Sequence, residues 1–127
     1  MAMNAVWERV RRRAVMRLPF TIGEAAVAEP ATLCAFDLLS LDGRDMRVLP
    51  LFQRKDALRG LISAVPGLPY VNDLQTHGEA LFATAVKLQQ EGIVAKLADS
   101  PYKAGRQAAW RKIKNRQFPR QEALALA

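Results

Sequence analysis

Apolar positions recur along this chain at two periods, and each period predicts a kind of element. Near the N-terminus Trp7, Val10 and Ala14 fall at i, i+3 and i+7 with Arg11, Arg12 and Arg13 between them, which predicts a helix over about 4–15 with one packing face. After Pro50, a residue suited to a first helical turn, Leu51, Leu58, Leu61, Ile62 and Val65 repeat at helical spacing. Arg54, Lys55, Asp56 and Arg59 fill the other face of that helix, expected over 51–64 and closed near Pro66-Gly67. A third helix, over 77–90, carries Leu81, Phe82, Ala85 and Leu88. Thr76 and Glu79 form a capping-box pattern at its start, and Gly92 is the expected stop.

The other segments read as strands and loops. Leu33-Cys34-Ala35-Phe36-Asp37-Leu38-Leu39 is short and nearly continuous in apolar character, as a buried strand over 33–39 would be, with Cys34 a small buried hydrophobe. Asp42-Gly43 is a hairpin turn signal, and the chain returns over 44–48. Pro69 and Tyr70 to Leu74 form a short strand, whereas Pro19, Gly23 and Pro30 break regular structure and leave 18–31 as loop or short strand segments. Two further strands, 92–97 and 109–114, flank a loop punctuated by Pro101 and Gly105. Period-2 alternation puts Trp110, Lys112 and Lys114 on one face and Arg111 and Ile113 on the other. Glu91 and Lys96 have opposite parity in an ideal strand, so both reach one site only where the backbone bends, which Gly92 permits. Hairpins joined by helices, without regular βαβ alternation, indicate an α+β fold with an antiparallel sheet and packed helices.

Composition sets limits on function. The chain of 127 residues is one domain at most, and with 50% apolar and 24% charged residues it is an ordinary globular composition. No apolar run approaches the roughly 18 residues of a membrane span, so a cytoplasmic protein with no membrane partner is expected. A single cysteine and a single histidine, His77, exclude disulfides within the chain and Cys/His metal clusters; His77 is read as a surface residue. The net charge of +7 is uneven: residues 1–17 carry +4, residues 100–127 carry +6, and the middle carries −3. Basic ends on a mildly acidic body suit a phosphate-rich partner such as DNA, with solubility as the plain alternative.

Several segments, taken in order, resemble motifs of the ATP-dependent DNA ligases. Ala35 to Leu39, Leu41-Asp42-Gly43 and Leu49-Pro50-Leu51 with Arg54 look like motif IIIa and its continuation. Glu91-Gly92-Ile93-Val94-Ala95-Lys96 is similar to motif IV, and Ser100-Pro101-Tyr102, Gly105-Arg106 and Trp110 to Lys114 are similar to the segment leading into motif V. The helix with Trp7 resembles the piece that follows motif III, so the likeness runs from about residue 5 to 115. It implies a partial adenylation (nucleotidyltransferase) domain of ATP-grasp-like fold, and the family activity of sealing DNA nicks through an enzyme-adenylate. It implies ATP and Mg2+ as cofactors. By the same resemblance Phe36 stacks on adenine, Glu91 holds the metal, and Lys96, Lys112 and Lys114 contact the phosphates. A core position is the other reading of Phe36. Arg106, Arg111 and Arg116 are the DNA-binding candidates.

The family nucleophile, the lysine of Lys-x-Asp-Gly, has no counterpart in these 127 residues: the single Asp-Gly is Asp42-Gly43, and Ser40 stands two positions before Asp42. The motif III acidic residue is missing as well. The 13 residues after Lys114 are too few for an oligonucleotide-binding domain, so the expected organisation is one partial domain with a basic helix over 1–17 and a basic tail over 115–127. Three readings remain. The chain is a ligase fragment limited to nucleotide or DNA binding, or half of a split enzyme completed by a second chain or self-association, or a non-catalytic basic module.

Overall fold

The computed structural model describes residues 3–118, and of residues 3–7 the backbone alone. The expected Trp7 packing face and most of the basic tail therefore lie outside the described residues. Four helices and two antiparallel hairpins follow one another along the described chain: α1 (Met3–Ala14), α2 (Pro19–Ala28), β1 (Ser40–Leu41), β2 (Arg44–Asp45), α3 (Leu51–Ile62), α4 (Gly78–Lys87), β3 (Gly92–Lys96) and β4 (Trp110–Lys114). The α+β class is as expected.

The segment over 18–31 is the first correction. It is mostly helix α2, because Pro19 occupies the opening turn, where a missing N–H costs nothing. Its residues are almost uniformly apolar, so no periodicity announced it, and none of them is buried. Glu29, just past its end, ties it to α1: the carboxylate accepts from Arg12 at 2.7 Å and lies 3.6 Å from Arg9, and its carbonyl accepts from Arg13 at 2.7 Å. The Arg12 guanidinium holds the Glu29 carboxyl below the usual carboxylate range.

Residues 33–39 are the second correction. They form no continuous strand but one parallel bridge, Ala35 with Tyr70, in which Ala35 N–H donates to Pro69 at 3.1 Å and Val71 N–H donates to Ala35 at 2.9 Å. The strand expected over 70–74 is likewise only that bridge, and Cys34 is exposed rather than buried. The turn signal itself holds. Asp42 and Gly43 both take positive φ, 49° and 76°, the pair of conformations a two-residue hairpin needs, and Ser40 pairs with Asp45. The returning strand stops at Asp45 instead of reaching 48, and just past its end Arg47 folds back on Asp45: its backbone N–H and Nε donate to Oδ1 at 3.0 and 2.9 Å. That contact lowers the Asp45 pKa to about 2.

Helix α3 buries Leu51, Arg54, Leu58 and Ile62, so Arg54 lies on the inner face and not on the solvated one expected of it. Its first N–H groups, which have no partner within a helix, are taken up by the loop after β3: Leu51 N–H donates to Ser100 at 3.0 Å and Phe52 N–H to Ala98 at 3.1 Å. Helix α4 departs from its expected caps at both ends. The Thr76 hydroxyl meets His77 Nδ1 at 2.8 Å instead of capping the helix, and His77 itself is the N-cap, in left-handed conformation with φ 63°. At the other end Gln89, with φ 52°, takes the left-handed position expected of Gly92. Gln90 N–H donates to Ala85 at 2.8 Å and Gln89 N–H to Val86 at 3.0 Å, the double closure of a Schellman motif.

Gly92 serves the sheet instead. At φ 147° it begins β3 against the backbone of Ile113, where any Cβ would collide with the Ile113 carbonyl and sit 3.0 Å from Lys114 Cα. The ladder runs Gly92 to Lys114, Val94 to Lys112 and Lys96 to Trp110, and Asn115 N–H closes it by donating to Glu91 at 2.8 Å. Among the described residues the buried apolar core is small: Leu51, Leu58, Ile62 and Ala85. No described helix is long and apolar enough to cross a membrane.

Candidate functional site

The β3–β4 hairpin gathers the predicted cations. Its register and the period of two put Lys96, Lys112 and Lys114 on one face, with Trp110 at the Lys96 end. Glu91 reaches that face too. The positive φ of Gly92 turns the backbone at the start of β3, and Lys112 Nζ donates to Glu91 Oε1 at 2.6 Å, both side chains about half exposed.

Lys96 is held between two rings. Its Nζ lies 4.1 Å from the centroid of Trp110 and 4.8 Å from that of Phe36, within reach of the negative face of each. Burial holds the Lys96 ammonium below its ordinary pKa; Asp37 opposes that shift, and Lys55 and Arg54 add to it. Phe36 is 52% exposed, so the core reading of it is excluded. Tyr102 packs edge-on against Trp110 with centroids 5.6 Å apart, and Trp110 Nε1 is buried without an acceptor among the described residues.

Beneath these rings lies a polar clamp that the spacing did not reveal. Arg54 is 0% exposed and grips Asp37 through two parallel bonds, Nε to Oδ1 at 2.9 Å and Nη2 to Oδ2 at 3.0 Å. Its Nη1 donates to the carbonyls of Leu49 at 2.6 Å and Ser100 at 3.1 Å. Four donors of one guanidinium thus join the segment after Phe36, the entry to α3 and the loop after β3.

The arginines are less collected. Arg111 alternates with Lys112 and so faces away from the lysines, Arg106 sits in the loop between the strands, and Arg116 lies just past β4; all three are exposed.

A family model described as the ATP dependent DNA ligase domain matches residues 3–114. The chain belongs to the ATP-dependent DNA ligase family. It is 42% identical over 98 residues to a probable DNA ligase of Beutenbergia cavernae, covering 73% of this chain and 18% of that protein. It is 35% identical over 123 residues to the bifunctional non-homologous end joining protein LigD of Bacillus subtilis, covering 88% and 20%. With a DNA ligase of Methanocorpusculum labreanum it shares 30% over 115 residues, covering 90% and 20%. The chain spans about a fifth of the length of these relatives. Its mix of helices and small antiparallel sheets is consistent with a nucleotidyltransferase domain.

A DNA ligase domain implies ATP and a divalent metal. Among the described residues no group of three or more acidic, histidine or cysteine side chains could cage an ion. Glu91 offers one carboxylate, which suits Mg2+, an ion commonly held by one or two carboxylates together with substrate phosphates and water. A single carboxylate fits a metal that arrives with a nucleotide's phosphates.

Proposed function

We propose that this chain provides the phosphate-binding face of a ligase adenylation domain and that, by itself, it binds nucleotide or DNA without forming the covalent adenylate. One observation carries the reading: the β3–β4 register brings Lys96, Lys112 and Lys114 to one face, with Glu91 beside Lys112 and the Phe36 ring over Lys96. In this reading Phe36 stacks on adenine and the three lysines bind the nucleotide phosphates. Glu91 would hold a divalent ion whose charge helps to neutralise those phosphates. Adenylate transfer builds negative charge on the α-phosphate and on departing pyrophosphate, and cations fixed on a paired strand stabilise that charge without reorganising. Arg106, Arg111 and Arg116 are the proposed DNA contacts, through phosphates rather than bases.

The nucleophile comes from outside these residues, since no Lys-x-Asp-Gly occurs among them. Denaturing mass spectrometry after incubation with ATP and Mg2+ tests this. The expected spectrum shows the unmodified chain; an AMP adduct on any lysine would overturn the assignment.

A split enzyme, completed by another chain or by a second copy, is the second reading. It is favoured by the apolar surface left uncovered on α2 and on 33–39, where Val27 is 85% and Leu33 74% exposed.

A further inference from the structure

We infer that Arg54 is a positioning residue of the nucleotide site: gripping Asp37 and the Ser100 carbonyl together, it sets the Phe36 ring against the Lys96 ammonium. The inference rests on the nucleotide reading and adds to it the residue that holds the base-stacking ring and the phosphate-binding lysine at a fixed separation.

Phe36 sits where the backbone has few restraints. Only Ala35 on its N-terminal side is bonded into a bridge, and the residues around it make no ladder. On its other side the restraint is Asp37, whose Oδ1 accepts from its neighbour Leu38 N–H at 2.8 Å and from Arg54 Nε at 2.9 Å, so the carboxylate pins the chain directly after the ring. At the far end of the clamp, the Ser100 carbonyl accepts from both Arg54 and Leu51 N–H. Ser100 in turn donates to the Leu97 carbonyl from its backbone N–H at 3.1 Å and its hydroxyl at 2.7 Å, which fixes the residue next to Lys96. Hydrogen bonds through one guanidinium therefore link Asp37, next to Phe36 in the chain, to Leu97, next to Lys96.

The choice of residue follows from this geometry. A planar fork can bind a carboxylate with two parallel bonds while its remaining nitrogen serves two carbonyls; a lysine ammonium, a point charge with three donors, cannot reproduce that pattern. Apolar residues could fill the same space with little or no loss of stability, since a buried ion pair often gains nothing over them. What apolar residues would lose is the fixed distance between segments.

The test uses the full chain and two probes, ATP and inorganic tripolyphosphate, titrated by calorimetry with Mg2+ present. The variants are Arg54→Lys, Asp37→Asn and the double apolar replacement Arg54→Met with Asp37→Leu, and each is checked for a cooperative thermal transition. Positioning predicts that folded variants bind ATP at least about tenfold more weakly yet bind tripolyphosphate within about twofold of wild type, because the base needs the aligned ring and the phosphates need only the lysines. Parallel loss of both probes marks a merely structural role and overturns the inference, as does ATP affinity unchanged in a folded variant. If the single substitutions unfold the chain, the double replacement decides; if none of the three folds, Arg54 is a folding residue and the inference fails. Wild-type protein that binds neither probe would overturn the nucleotide reading itself, an outcome distinct from wild-type binding that the Arg54 variants share.

Discussion

Lys112 donates to Glu91 at 2.6 Å although the two residues would face opposite ways in a regular ladder, Glu91 standing one position before the Gly92–Lys114 pair. The half-exposed pair itself adds little stability, no more than about 1 kcal/mol. Glu91→Gln should therefore leave thermal unfolding nearly unchanged while abolishing the gain in ATP affinity that Mg2+ brings. Titrations with and without Mg2+ read this directly, and a variant that responds to Mg2+ as wild type does would remove Glu91 from the metal role.

The bend that makes this contact depends on Gly92. A methyl group there would run into the Ile113 carbonyl, part of the paired backbone rather than a side chain able to move aside, and φ 147° is itself costly for alanine. Gly92→Ala should lower stability by about 2 kcal/mol or more, measured by urea denaturation, and weaken nucleotide binding through misplacement of Glu91. Unaltered stability would mean that β3 and β4 do not approach as described.

Lys96 supplies a prediction in pH. Burial depresses its pKa in the unliganded protein below the ordinary 10.5, and an adjacent phosphate would raise it again. In the window just below 10.5, ATP binding should take up a fraction of a proton, seen as a dependence of calorimetric heat on buffer ionisation enthalpy. That dependence should vanish in Lys96→Met; its persistence would assign the proton to another group.

Uncovered apolar surface predicts association. With Phe20 at 75% and Val27 at 85% exposure on α2, and a segment at 33–39 whose strand pairing is a single bridge at Ala35, the chain should self-associate. Sedimentation velocity across a concentration series should show a mass that rises with concentration. A concentration-independent monomer with a cooperative thermal transition would contradict completion by a second copy.

Much of this arrangement could be read from residue spacing, and the failures have physical causes. Asp42-Gly43 and the β3–β4 pair were legible because turn chemistry and alternation are local properties. Helix α2 was not: an apolar run without a polar face has no period, and Pro19 stood where it starts a helix instead of breaking one. Arg54 could have been found. Leu51 and Leu58 define a buried stripe in which position 54 falls at i+3, and Asp37, a carboxylate inside an apolar run, needed a buried partner. Its charge masks that place in the stripe. The aromatic sandwich around Lys96 was illegible, since it joins Phe36 and Trp110 from distant parts of the chain.

Calorimetric titration of ATP into the wild-type chain and into a Lys96→Met, Lys112→Met, Lys114→Met variant tests the proposed phosphate-binding face most directly. Each charge-assisted contact to phosphate is worth about 1.5–3 kcal/mol, so the triple replacement should weaken ATP binding by at least about a hundredfold while the protein stays folded. Equal affinity in the two proteins, or no measurable binding by the wild type, would contradict the account.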